Sequence, residues 1–168
     1  YAVCQKYDVL IVEDEPYWFI QYDGHDNKCY FDVDTEGRVI RLDSFSKNFL
    51  PGSRLGYVTA QPSIIQRIFE LSEEATQQPS GFTQLVVLRT LQEWGKKGWL
   101  KWLSMLRQEY EERRNITVAA LEKYKSNPTN GKLILDFEKP AAGMFVWMSV
   151  RFDHHPLAGK LSELELSR

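Results

Sequence analysis

Residues 8–17 read Asp-Val-Leu-Ile-Val-Glu-Asp-Glu-Pro-Tyr. The apolar run Val9-Leu10-Ile11-Val12 shows no polar alternation, and three of its four residues are β-branched. A strand with one wet face alternates; an unbroken run marks a strand covered on both faces, the usual condition in a parallel sheet. The run stops at Glu13-Asp14-Glu15-Pro16, so three carboxylates follow directly where the strand ends. Open α/β sheets gather their ligands at that end. The stretch therefore predicts an α/β fold and says where its chemistry lies.

Downstream, the turn-forming cluster Asp34-Thr-Glu-Gly37 lies between Cys29–Val33 and Val39–Phe45, a pattern that predicts two strands joined as a hairpin. Leu55–Ala60 is a further strand candidate. At Pro62 the period changes to that of a helix, with Ile64, Ile65, Ile68, Phe69 and Leu71 on the apolar side. Helical patterns follow over about 83–94 and 100–124, with Gly95 and Gly98 between them as breakers. On the second, Glu109 and Arg113 are spaced for a solvated ion pair. Leu133–Phe137 and Met144–Val150 read as strands. Residues 125–132 are turn-rich, which predicts a boundary between a first domain over 1–124 and a second over 125–168.

The composition is globular: 43% hydrophobic, 26% charged and a net charge of −2 over 168 residues. That balance gives no reason to invoke nucleic acid or an anionic membrane. No run approaches the roughly 18 uninterrupted apolar residues of a membrane span. Cys4 and Cys29 are too few for a disulfide scaffold and lack zinc-site spacing, which fits a reducing compartment, by default the cytoplasm, with the mitochondrion open. Asp153-His154-His155 reads as a solvated loop before it reads as a metal site, because adjacent histidines in a strand face opposite ways. His25 is assigned no role, and Trp94, Trp99 and Trp102 read as helix packing. The chain starts at Tyr1 and its first methionine is Met105, so the expectation is a piece of a longer protein.

The chemistry-bearing residues form an ordered series. Glu13-Asp14-Glu15-Pro16-Tyr17 is followed by Ser44-Phe45-Ser46-Lys47 and then by Pro51-Gly52-Ser53-Arg54-Leu55-Gly56-Tyr57. Taken singly, an acidic turn, a lysine after serine and an arginine are ordinary surface residues. In this order, each at a strand end, they are a site. With Pro-Ala-Ala-Gly-Met-Phe-Val-Trp147 they closely resemble the class I/II aminotransferases of pyridoxal-phosphate fold type I. The resemblance is nearest to the group acting on 2-aminoadipate, kynurenine and aromatic amino acids, fungal members included. It runs over about 7–150 and is densest over 13–57.

The resemblance implies a partial three-layer α/β/α large domain, a long connecting helix and the start of an α+β small domain. It implies pyridoxal 5'-phosphate bound as a Schiff base on Lys47, which would also move the substrate proton. Asp14 would pair with the pyridine nitrogen, Tyr17 would donate to the ring oxygen, and Arg54, Ser44 and Ser46 would hold the phosphate. No metal is implied. The substrates would be an amino acid and a 2-oxo acid such as 2-oxoglutarate, and the full-length protein would be a homodimer. Further cofactor-binding segments and the arginine for the substrate carboxylate would lie outside this chain, a role given to neither Arg151 nor Arg168. The piece alone is expected to be inactive. Two alternatives stand beside it: a lyase or synthase of this fold, which would keep Asp14, Lys47 and Arg54, and the aminotransferase-like domain of a MocR-type transcription regulator.

Overall fold

The structure is a computed structural model that describes residues 1–22, 24, 28–155 and 157–160. His25 and Arg168 lie outside the described residues. The chain divides into two compact units, Tyr1–Arg107 and Gln108–Arg168.

The first unit opens with a short helix, α1 (Ala2–Lys6), and strand β1 (Ile11–Asp14). Strand β2 (Val39–Ser44) pairs with β1 in parallel, Ile11 facing Val39 and Glu13 facing Arg41. Strand β3 (Gly56–Thr59) pairs antiparallel with β2, giving the order β1-β2-β3. The parallel pair and the β3 strand agree with the sequence pattern. The expected cover on both faces of β1 is not complete: Val12 is 63% exposed.

The hairpin expected over 29–45 does not form. Tyr30–Val33 is a 3-10 turn rather than a strand. Its backbone donors are taken by carboxylates instead of a ladder: Cys29 N–H donates to Asp32 at 3.0 Å, and Tyr30 and Phe31 N–H donate to the buried Glu13. Side-chain acceptors of this kind compete with strand pairing. The following loop is closed by Asp34. Its Oδ1 accepts from Gly37 N–H at 2.9 Å and from the Tyr1 hydroxyl at 2.9 Å, and its Oδ2 from Val39 N–H at 2.9 Å.

Burial works to raise the Asp34 pKa, but these donors outweigh it and hold the group at about 2. A carboxyl held below its ordinary range contributes stability that is complete above that range and is lost as pH falls toward the folded value. Asp34→Ala is therefore expected to cost about 1–2 kcal/mol at neutral pH. Urea unfolding should show the gap between wild type and variant narrowing as pH falls from 4 toward 2.

After β2 comes α2 (Phe45–Asn48), one turn long, and then a 3-10 turn at Pro51–Ser53. Helix α3 (Pro62–Ala75) starts at its proline, as the sequence predicts. The two later helical patterns merge into one run, α4 (Gly81–Tyr124), interrupted only at Gly95 (φ 58, ψ −177). That conformation is essentially reserved for glycine. Gly98 stays helical and does not break the run. The core of the unit contains Ile20, Tyr22, Val39, Val87 and Leu103.

The second unit contains the end of α4, with the exposed Arg113–Glu109 pair at 2.8 Å, and strands β4 (Leu135–Phe137) and β5 (Met148–Val150), paired antiparallel. The buried Arg114 donates to Pro140 O at 2.8 Å, and Asn127 Nδ2 donates to His154 O at 2.8 Å. His154 Nδ1 lies 2.8 Å from Leu133 O. No set of three or more metal-binding side chains, and no helix long and apolar enough to cross a membrane, occurs among the described residues.

Candidate active site

Alternation along the strands sorts the site. In β1, Glu13 is buried and Asp14 is exposed. Asp14 registers with Leu42, so Ser44, two residues further along β2, lies on the same face as Asp14. Glu13 and Arg41 share the opposite face. The ladder extends one bond past β1, from Glu15 N–H to Leu42 O at 3.0 Å, before Pro16 turns the chain. The turn that follows, closed by Ile20 N–H on Tyr17 O at 2.8 Å, presents Tyr17.

At the end of β2, Ser44 caps α2: its Oγ accepts Ser46 N–H at 3.1 Å. Lys47 lies on that single turn, its Nζ 5.6 Å from the centroid of the Tyr17 ring. The Pro51–Ser53 turn is closed by Ser53 Oγ donating to Leu50 O at 2.7 Å. Arg54 follows with left-handed backbone (φ 50, ψ 37), and its Nη1 donates to Ser46 Oγ at 3.3 Å. Two groupings thus form at adjacent strand ends, Lys47 with Tyr17 and Arg54 with Ser46. Asp14 is exposed at the end of β1, and among the described residues its carboxylate has no hydrogen-bond partner.

The opposite face holds a buried charge cluster that sequence reasoning missed. Arg41 donates from Nε to Asp43 Oδ2 at 2.8 Å and from Nη2 to Oδ1 at 3.3 Å. Its guanidinium lies 5.3 Å from the Trp18 ring centroid. Burial works against the Arg41 charge, but the Asp43 bonds prevail and its pKa is raised. Glu15 is pushed up by burial and by the Glu13 carboxylate, with Arg41 opposing. The available signal was Arg41 and Asp43 at i, i+2, a spacing that puts both on one face of a strand.

The aromatic residues converge on α2. Phe49 meets Trp94 at 5.5 Å and Trp99 at 5.9 Å between ring centroids, and Phe45 meets Tyr57 at 5.5 Å. Trp102 Nε1 donates to Asn48 O at 2.7 Å. The tryptophans pack, as the sequence suggested, and what they pack against is the turn carrying Lys47.

A family model described as aminotransferase class I and II matches residues 1–167. An L-tyrosine:2-oxoglutarate aminotransferase of Tapinella panuoides is 36% identical, covering 93% of this chain and 33% of its own length. The mitochondrial kynurenine/alpha-aminoadipate aminotransferase of Bos taurus is 36% identical over 92% of this chain and 35% of its own. The crystal structure of the aminotransferase Aro8 from Candida albicans superimposes with a TM-score of 0.80 at 34% identity, covering 95% of this chain and 36% of that one. The chain thus spans about a third of the length of each protein it matches. The α/β sheet, the residues at its strand ends and a match over almost the whole sequence agree: the chain belongs to the class I and II aminotransferase family.

Proposed function

We propose that the chain carries the lysine-bearing part of a pyridoxal 5'-phosphate site in a transaminase. Its substrates would be an aromatic or 2-aminoadipate-type amino acid, kynurenine among them, and a 2-oxo acid such as 2-oxoglutarate. The observation that carries the reading is the pairing of Lys47 with Tyr17 and of Arg54 with Ser46 at adjacent strand ends. The donor set fits the cofactor: an amine for its aldehyde, a carboxylate for its ring nitrogen, a phenol for its ring oxygen, and a guanidinium with hydroxyls for its phosphate. When bound, pyridoxal phosphate supplies an aldehyde that condenses with amines and a cationic ring that accepts carbanion electrons.

On this reading Lys47 would hold the cofactor through its amine and, when free, would take the proton from substrate Cα. Asp14 favours a proton on the ring nitrogen, and Tyr17 holds the ring oxygen by hydrogen bonding. Arg54 fixes the phosphate in a planar fork, with Ser44 and Ser46 beside it. Residues 1–124 form the later part of the cofactor domain and 125–168 the beginning of a smaller one. The complete enzyme is a homodimer in a reducing compartment, cytoplasmic or mitochondrial, consistent with the unpaired Cys4 and Cys29. The names of the relatives support the substrate class.

The test is product analysis with a complete enzyme carrying these residues, given tyrosine, kynurenine or 2-aminoadipate with 2-oxoglutarate. Glutamate is expected to form one-for-one with the new oxo acid. Ammonia release or carbon–carbon cleavage without glutamate would instead identify a lyase. The 168-residue chain alone is expected to give no turnover.

A further inference from the structure

A single turn of helix is not stable alone, because nucleation fixes several residues for one hydrogen bond. α2 is four residues long, so something outside it must fix its place. Its start is capped by Ser44. Its end leaves carbonyls that need donors. Phe45 O accepts from Phe49 N–H at 3.0 Å and Leu50 N–H at 2.9 Å, while Asn48 O accepts the indole N–H of Trp102 at 2.7 Å. That last bond links positions 54 residues apart and joins α2 to α4.

The packing also sets which way the turn faces. Phe45 and Phe49 are four residues apart, on one side of the turn, with ring centroids 6.4 Å apart. Trp94, Trp99 and Tyr57 hold that side. Lys47, two residues from each phenylalanine, falls roughly 200° round the helix, which turns it away from the aromatic bed and toward Tyr17. The break at Gly95 helps to assemble the bed. It resets the helical phase between Trp94 and the two later tryptophans, and Trp94 meets Trp102 in a tilted contact at 5.7 Å between centroids while both Trp94 and Trp99 reach Phe49. Asn48 itself is 2% exposed, so its peptide carbonyl is held in a dry setting where losing a donor is costly.

We propose that Trp102 is a positioning residue for Lys47: its indole N–H, by holding the Asn48 carbonyl, fixes the turn from which the lysine amine reaches its target. The inference rests on the reading of Lys47 as the cofactor-bearing lysine. It assigns a role in the site to a residue of α4 whose indole N–H is held by a backbone carbonyl.

The experiment replaces one atom group at a time in a complete enzyme carrying these residues, freed of cofactor beforehand. Trp102→3-benzothienylalanine keeps the bicyclic ring and exchanges N–H for sulfur; Trp102→7-azatryptophan keeps the N–H. Each protein is mixed with pyridoxal 5'-phosphate, whose aldehyde condenses with a lysine amine with loss of water. Borohydride then reduces the C=N bond to a stable secondary amine, and peptide mapping gives the label on each lysine. Near-ultraviolet circular dichroism checks that the aromatic bed remains packed. The benzothienyl variant is expected to lose about fivefold in label rate at Lys47, the scale of one net hydrogen bond. The exposed Lys96, Lys97 and Lys101 should label unchanged, and 7-azatryptophan should restore the Lys47 rate.

Equal Lys47 rates in wild type and the benzothienyl protein would overturn the inference. So would an equal loss in the azatryptophan protein, which would make ring shape rather than the N–H the cause. If Lys47 in wild type labels no faster than the exposed lysines, the reading of Lys47 fails first and the inference with it. The wild-type result alone therefore separates the two failures.

Discussion

Lys47→Ala in a complete enzyme is expected to slow transamination by about 10²–10⁴-fold or more, the range for a positioned proton-transfer group. On the proposed reading two functions are removed together, the covalent anchor and the base at substrate Cα, so the loss should fall at the upper end. The effect should appear in the half-reaction with amino acid alone, measured under single turnover, because that step contains the Cα proton transfer. Substrate binding should change far less than the rate, since no group assigned to the substrate carboxylate is touched. Exogenous small amines, which can accept a proton from Cα without being tethered, should restore part of the rate, with larger restoration for the more basic amine. A rate within tenfold of wild type would remove Lys47 from the chemistry. A loss confined to KM would recast it as a binding residue.

The placement of Lys47 just beyond the end of β2 was legible from the sequence for a physical reason. A short turn at a strand end is defined by nearby residues, here the strand that precedes it and the Pro51-Gly52 breaker that follows. Local constraints leave contiguous text. The parallel setting of β1 was legible from its unbroken apolar run, although the full cover that such a run suggests is not seen, with Val12 exposed. The failure at 29–33 has the complementary cause. Cys29–Val33 has strand composition, but Glu13 and Asp32 offer its backbone donors acceptors that no periodicity count includes. The α4 run shows the limit of composition in another way. Gly95 and Gly98 look alike as breakers, yet only Gly95 leaves helical backbone. A Cβ added at Gly98 would lie 2.9 Å from Trp94 Cβ, so that glycine serves close packing instead. The bond from Trp102 to α2 was invisible because its partner is a backbone carbonyl, which carries no sequence signature.

The largest stability effect is expected at Arg41. Its side chain and that of Asp43 are 10% and 4% exposed, so the pair is buried on both sides. Removing one member of a buried pair costs about 3–5 kcal/mol, because the other is left charged and desolvated. The two removals should not be equal. Arg41 stands across the β1–β2 ladder from Glu13 and electrostatically opposes the upward push on Glu15. Without it, Asp43, Glu13 and Glu15 remain as three carboxylates with no compensating cation of their own cluster. Without Asp43, Arg41 keeps Glu13, Glu15 and the Trp18 ring. Arg41→Met should therefore approach the full 3–5 kcal/mol, and Asp43→Leu about 1–3 kcal/mol. A domain of this kind has only about 5–15 kcal/mol in total, so the arginine variant should be folded marginally at best. The double variant Arg41→Met/Asp43→Leu should be more stable than Arg41→Met alone, since it removes the stranded Asp43 charge as well as its partner. Urea unfolding of the four proteins closes the cycle. Additive losses would show that the pair has no coupling. A larger loss for Asp43→Leu than for Arg41→Met would show that the surplus carboxylates are not what makes this arginine necessary.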